Sequence, residues 1–253
     1  MIAVFKDHFS GHASKYAAFR PVYPRALVDF LADLAPATEV ALDVGCGTGQ
    51  LSTLLTARFG RVVATDASAK QIAEAEPADR VEYRVAPCEA SGLPDASVDL
   101  LTVAQAAHWF DLDRFYAEAR RVLRPGGVLA LICYMHPDVT GPVRDVFLHF
   151  YEPVCGPYWP PERRMIEDGY RSLAFPFEEL PAPTMDLVAD WTLDDLLGYV
   201  DTWSAVRALE KARGREPYER FVEAMYSADP DPARRRRVSW PLAMRVGRKR
   251  AAG

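Results

Sequence analysis

The 253-residue chain lacks the marks of several protein classes. It has no apolar run near the roughly 18 residues that a membrane helix needs; Val128–Cys133 is among the longest. Its four cysteines, Cys46, Cys88, Cys133 and Cys155, form no CxxC pair and show no metal-ligand spacing. That argues against a disulfide framework and a metal site, and predicts reduced thiols in a cytoplasmic protein. Basic residues are not in excess: 30 Lys and Arg stand against 35 Asp and Glu, a net charge of −5. The molecule therefore offers no broad positive field to nucleic acid. Lys6 and Asp7 interrupt the only apolar stretch of Met1–Ser10, which predicts no secretory signal. No internal repeat or low-complexity tract is present beyond Arg234–Arg237.

What is there reads as an enzyme-sized globular chain. Hydrophobic residues make up 49% and charged residues 26%, and one large domain over residues 1–253 is expected. Short apolar runs at Val40–Val44, Arg61–Thr65, Val81–Val85, Val98–Ala104 and Val128–Cys133 alternate with helical patterns. That is the pattern of a parallel sheet covered by helices on both faces. Phe115, Ala119 and Val122 share a helix face behind a cap at Asp111 or Asp113, and Pro125-Gly126-Gly127 stops that helix. Leu27, Phe30, Leu31 and Leu34 make an earlier helical stripe behind Pro24. Residues 135–185 hold nine of the 20 prolines and suit a lid or insertion. Thr192 and Asp195 read as a capping box, and Pro217 opens a further helix. Val238, Trp240, Leu242, Met244 and Val246 alternate as a half-buried strand in which Pro241 limits pairing.

The strongest signal is Leu42-Asp43-Val44-Gly45-Cys46-Gly47-Thr48-Gly49-Gln50, a strand running into G-x-G-x-G. Such a loop turns sharply and lets a ligand approach the main chain. Asp66 closes the next strand at the place where a ribose diol is hydrogen-bonded. A dinucleotide fingerprint would carry a third glycine where this chain has Gln50, and a carboxylate at Asp43 repels a diphosphate while suiting an ammonium group. S-adenosyl-L-methionine, an adenosine with a sulfonium and an amino-acid tail, meets those terms; a dehydrogenase does not.

The loop resembles motif I of the class I S-adenosylmethionine-dependent methyltransferases. Val62–Asp66 is similar to their second motif, Cys88–Leu100 to the approach to strand four, and Arg121–Gly127 to the turn before strand five. Tyr16–Pro24 and Gln105-Ala106-Ala107-His108-Trp109-Phe110 resemble the trans-aconitate-methyltransferase-like branch. The resemblance implies a Rossmann-like, doubly wound α/β fold of seven strands, mostly parallel with an antiparallel C-terminal strand. It implies a helical cap over the site from residues 1–36 and a substrate insertion at 135–183.

It also implies roles. Asp43, Gly45, Cys46, Gly47 and Gly49 hold the methionine part, Asp66 the ribose, and Ala67 borders the adenosine. Cys88 offers its N–H to the adenine beside Glu89, and Gln105 lines the floor. Pro87 stands where many relatives carry an acid for the adenine amino group.

Methyl transfer from a sulfonium mainly needs alignment and exclusion of water. Candidates at the reacting end are Tyr16 and Arg20, four apart on one helix face, and His108, as base or as hydrogen-bond donor. Trp109, Tyr158, Trp159 and Arg163, with Arg164, are candidates for the acceptor pocket. For each, ordinary packing or a surface ion pair is the competing explanation. His8 and His12 are four apart but have only Asp7 as a third ligand, so no metal is expected. The base N-methylation motif [DN]-P-P-[YFW] is absent after strand four. The expectation is methylation of a small-molecule acceptor, at a carboxylate or hydroxyl oxygen, by a monomer or homodimer. An RNA or protein methyltransferase, suggested by the C-terminal arginines, and a non-catalytic S-adenosylmethionine-binding protein are the alternatives.

Overall fold

The computed structural model describes residues 21–250, so Tyr16, Arg20, His8, His12 and most of the expected helical cap lie outside the described residues. The chain forms α1 (Arg25–Leu34), β1 (Val40–Val44), α2 (Gln50–Leu55), β2 (Arg61–Asp66), α3 (Ala69–Ala73), β3 (Val81–Val85) and β4 (Val98–Ala104). Then follow α4 (Leu112–Val122), β5 (Leu123–Tyr134), α5 (Arg144–His149), α6 (Arg163–Glu167), β6 (Glu178–Leu180) and β7 (Met185–Trp191). The last elements are α7 (Leu193–Asp201), α8 (Ser204–Arg213), α9 (Glu216–Ala228) and β8 (Arg236–Arg248).

The sheet runs β3-β2-β1-β4-β5-β8-β6, parallel through β5, with β8 antiparallel. β6 pairs with Val246–Arg248 and β7 with Arg236–Leu242, so both lie along β8 and together fill the seventh position. The seven-position α/β sheet expected from the sequence is the one observed. Pro241 sits where β8 runs past the end of β5, one residue beyond the Tyr134–Leu242 pair.

Alternation along the strands builds the two cores. Ala41, Val62, Leu100 and Ala130 face α1 and α2, while Leu42, Val63, Leu101 and Leu129 face α4. Each fully buried Leu contributes about 1.5–3 kcal/mol, which fixes the register because a one-residue slip would exchange the two faces. Asp99 is fully buried at the opposite edge from the glycine loop; it accepts the N–H groups of Glu39 (3.0 Å) and Val40 (2.9 Å) and pairs with Arg124 (2.7 Å).

The proline-rich region departs from a simple lid. Its helical turns pack on the C-terminal helices: Phe150 stacks on Phe221 with centroids 4.0 Å apart, and Phe147 and Tyr151 meet Trp203 edge-on. Its last stretch, Glu178–Leu180, belongs to the sheet. Pro125-Gly126-Gly127 also differs from a terminating turn: the helix ends at Val122, and these residues form an irregular stretch of β5, where the register to β4 shifts. Asp111 and the Thr192–Asp195 box cap their helices as expected.

Candidate functional site

The strand order reverses between β1 and β4, and loops leaving their carboxyl ends diverge there, which opens a crevice at the sheet edge. The cleft encloses about 770 Å³. Two backbone demands make the loop glycine-rich. Gly45 has φ 69° and a Cβ there would lie 2.6 Å from the Ala106 Cβ; Gly49 has φ 88° and a Cβ would lie 2.6 Å from Cε1 of Tyr83. Only glycine meets both the conformation and the space.

The loop is pinned from below. Gly45 and Cys46 donate to the Thr65 carbonyl, and Gly47 donates to Asp66 Oδ2 at 2.9 Å. The other Asp66 oxygen accepts from the Ser68 N–H at 2.8 Å. Asp43 is buried under the loop, accepting from Ser52 Oγ (2.6 Å) and Thr102 Oγ1 (2.8 Å). Burial raises its carboxyl to about 6, against the opposing pull of the two hydroxyls; nearby Asp66 adds to the rise. Asp43 thus ties α2 to β4 as well as carrying charge.

Seven carboxylates line the cleft: Asp43, Asp66, Glu74, Glu76, Glu89, Asp111 and Glu162. No lysine or arginine lines it among the described residues. Such a lining opposes a diphosphate and favours a cationic ligand. Gln105 sits at φ 56°, donates to the Tyr134 carbonyl at 3.0 Å, and keeps its buried Oε1 without a hydrogen-bond partner among the described residues. Ala67, Cys88 and Glu89 line the far end. There the Cys88 thiol donates to Glu89 (3.2 Å), and Glu89 also faces Arg114 (3.3 Å). Burial pushes the thiols of Cys46 and Cys88 far up, so neither is a thiolate.

His108, Trp109, Phe110, Tyr134 and Glu162 also line the cleft. His108 is drawn down to about 3, first by burial and then by the charge of Arg163. Its Nδ1 lies 2.9 Å from the Tyr170 hydroxyl. Tyr158, Trp159 and Arg163 do not reach the lining among the described residues. Arg163 lies 4.6 Å over the Trp159 ring and donates to Tyr151 (3.1 Å), while Tyr158 packs on the larger core. Sequence reading did not single out Tyr23, Tyr134, Glu162 or Tyr170; only Tyr23, within the Tyr16–Pro24 segment, carried a local signal.

Residues 42–131 match the family model described as a methyltransferase domain. A Dictyostelium discoideum protein named as a methyltransferase is 33% identical over 252 residues, covering 97% of this chain and 96% of the other. A Mycobacterium tuberculosis protein named as a methyltransferase is 37% identical over 139 residues, 54% of this chain and 56% of that one. A solved structure named as a type II methyltransferase from Anaeromyxobacter dehalogenans is 49% identical, with TM-score 0.87, covering 91% of this chain and 98% of that one.

Proposed function

Since this chain belongs to the S-adenosylmethionine-dependent methyltransferases, we propose that it methylates a small-molecule acceptor at oxygen, a carboxylate or a hydroxyl. We place it in the trans-aconitate-methyltransferase-like branch on the strength of Gln105–Phe110 and Tyr16–Pro24. The observation that carries the cofactor assignment is the acid-lined cleft with its orphaned Gln105 oxygen. Cationic charge and an N–H donor on the ligand would satisfy both, and the residues fit S-adenosyl-L-methionine.

In this reading the Gly45–Gly49 backbone, Asp43 and Gln105 would hold the methionine end, Asp66 the ribose hydroxyls, and Ala67, Cys88 and Glu89 the adenine side. When bound, S-adenosylmethionine supplies an electrophilic methyl group on a sulfonium. The chain itself orients and excludes water: Phe110, Trp109 and Tyr134 wall the reacting end with rings, and fixed geometry replaces the entropy of encounter. His108 is neutral and orients the acceptor.

The arginine run gives little support to an RNA substrate, because Arg236 is tied to buried Asp229 and Arg235 lies beside Asp190 and Asp195. Methyl-labelled donor with a panel of small carboxylic acids and hydroxy compounds tests the proposal. Incorporation into one of them supports it; incorporation only into RNA or protein overturns it.

A further inference from the structure

His108 has one ring nitrogen occupied from within the protein. Tyr170 is buried, lies 62 residues further along the chain, and stacks on the imidazole with centroids 6.0 Å apart. Its hydroxyl is 2.9 Å from Nδ1. Nδ1 is the hydroxyl's one side-chain hydrogen-bond partner among the described residues. A buried hydroxyl proton needs an acceptor, and Nδ1 offers one only when it is itself unprotonated. A neutral imidazole that accepts at Nδ1 carries its proton on Nε2.

The support for this pair is built in. Tyr170 holds a left-handed backbone, φ 63°, directly after Gly169, a conformation that costs about 1–3 kcal/mol for a non-glycine residue. It is held there by its N–H to the Met165 carbonyl (2.7 Å) and by Arg245, which donates to the Tyr170 and Leu173 carbonyls. The charge of Arg163 and the tilted ring of Trp109, 4.7 Å away, complete the surroundings of the imidazole, which lines the cleft.

We infer that Tyr170 is a positioning residue that fixes His108 as the Nε2–H tautomer, so that His108 donates a hydrogen bond to the acceptor and does not serve as its base. This rests on the methyl-transfer reading for its consequence and narrows it. An acceptor that must lose a proton, such as a hydroxyl or an ammonium, finds no base in His108. A carboxylate arrives ionised, releases no proton on methylation, and offers an oxygen to the Nε2–H.

The test is ¹⁵N NMR of histidine-labelled, ligand-free full-length protein at neutral pH, with His108→Gln used to assign the His108 signals. The expected spectrum has Nδ1 at the unprotonated position and Nε2 at the protonated one. In Tyr170→Phe, which keeps the ring packing, both signals are expected to shift towards an averaged mixture of tautomers. A wild-type spectrum with Nδ1 protonated, or with both nitrogens protonated, overturns the inference, as does a pattern unchanged in folded Tyr170→Phe. The wild-type result decides the matter even if the variant fails to fold. Because no methyl donor is present, a failed donor titration beside the expected spectrum would count against the methyl-transfer reading alone.

Discussion

Tyr83 lies against Gly49: a Cβ on that glycine would overlap the tyrosine hydroxyl and crowd two ring carbons. The third glycine of the loop is therefore set by a side chain on β3, two strands away from β1 in the sheet order. Gly49→Ala combines left-handed strain with overpacking and is expected to cost about 2–5 kcal/mol. Urea unfolding measures the loss. Tyr83→Phe should not relieve it, because the ring carbons remain, whereas Tyr83→Ala in the same background should recover part of it.

Asp43 gives the cleft a pH dependence. Its folded pKa, about 6, exceeds the ordinary 3.8, so its contribution to stability is present below 3.8 and lost as pH rises through 6. A cationic ligand favours the ionised form, so binding should release a proton and weaken as pH falls below about 6. Calorimetric titrations of S-adenosylmethionine at several pH values check this. Asp43→Asn should bind at least tenfold more weakly and show a flatter profile.

His108 acts in the opposite direction on stability. Its folded pKa of about 3 lies below the ordinary 6.5, so its contribution is present above 6.5 and is lost as pH falls towards 3. Thermal unfolding across that window should show less acid sensitivity in His108→Gln than in the wild type. With a carboxylate acceptor, His108→Gln, which keeps an N–H donor, should retain more activity than His108→Leu; equal loss would point to a base.

Asp99→Ala should be among the most damaging changes away from the cleft. It strands the N–H groups of Glu39 and Val40 and leaves the part-exposed Arg124 guanidinium with Glu39 as its carboxylate partner. A loss of about 2–4 kcal/mol is expected from two N–H groups left without an acceptor, read as a fall in Tm with donor affinity per folded molecule unchanged.

Much of the cleft was legible because its signals are local. Glycines, Asp43 and Asp66 sit within 24 residues and each answers a single physical need, of conformation or of charge. The strands of the first half were visible as short apolar runs, and β8 through its period-two alternation. Tyr170 was not, because its partner His108 is far away in sequence and nothing near Gly169 announces the contact. Arg163 looked like a substrate ligand by residue type, yet Trp159 and Tyr151 hold it behind the cleft wall. Helix α8 was not singled out, and its buried Ala205, Val206 and Leu209 pack in the same core as the proline-rich region.

Isothermal titration with S-adenosylmethionine, its demethylated product and NAD⁺ tests the central assignment most directly. Saturable 1:1 binding of the first two, lost in Gly49→Ala, and none of the dinucleotide is the expected result. Binding of NAⅮ⁺ in place of the methyl donor, or of neither ligand by the folded protein, would contradict it.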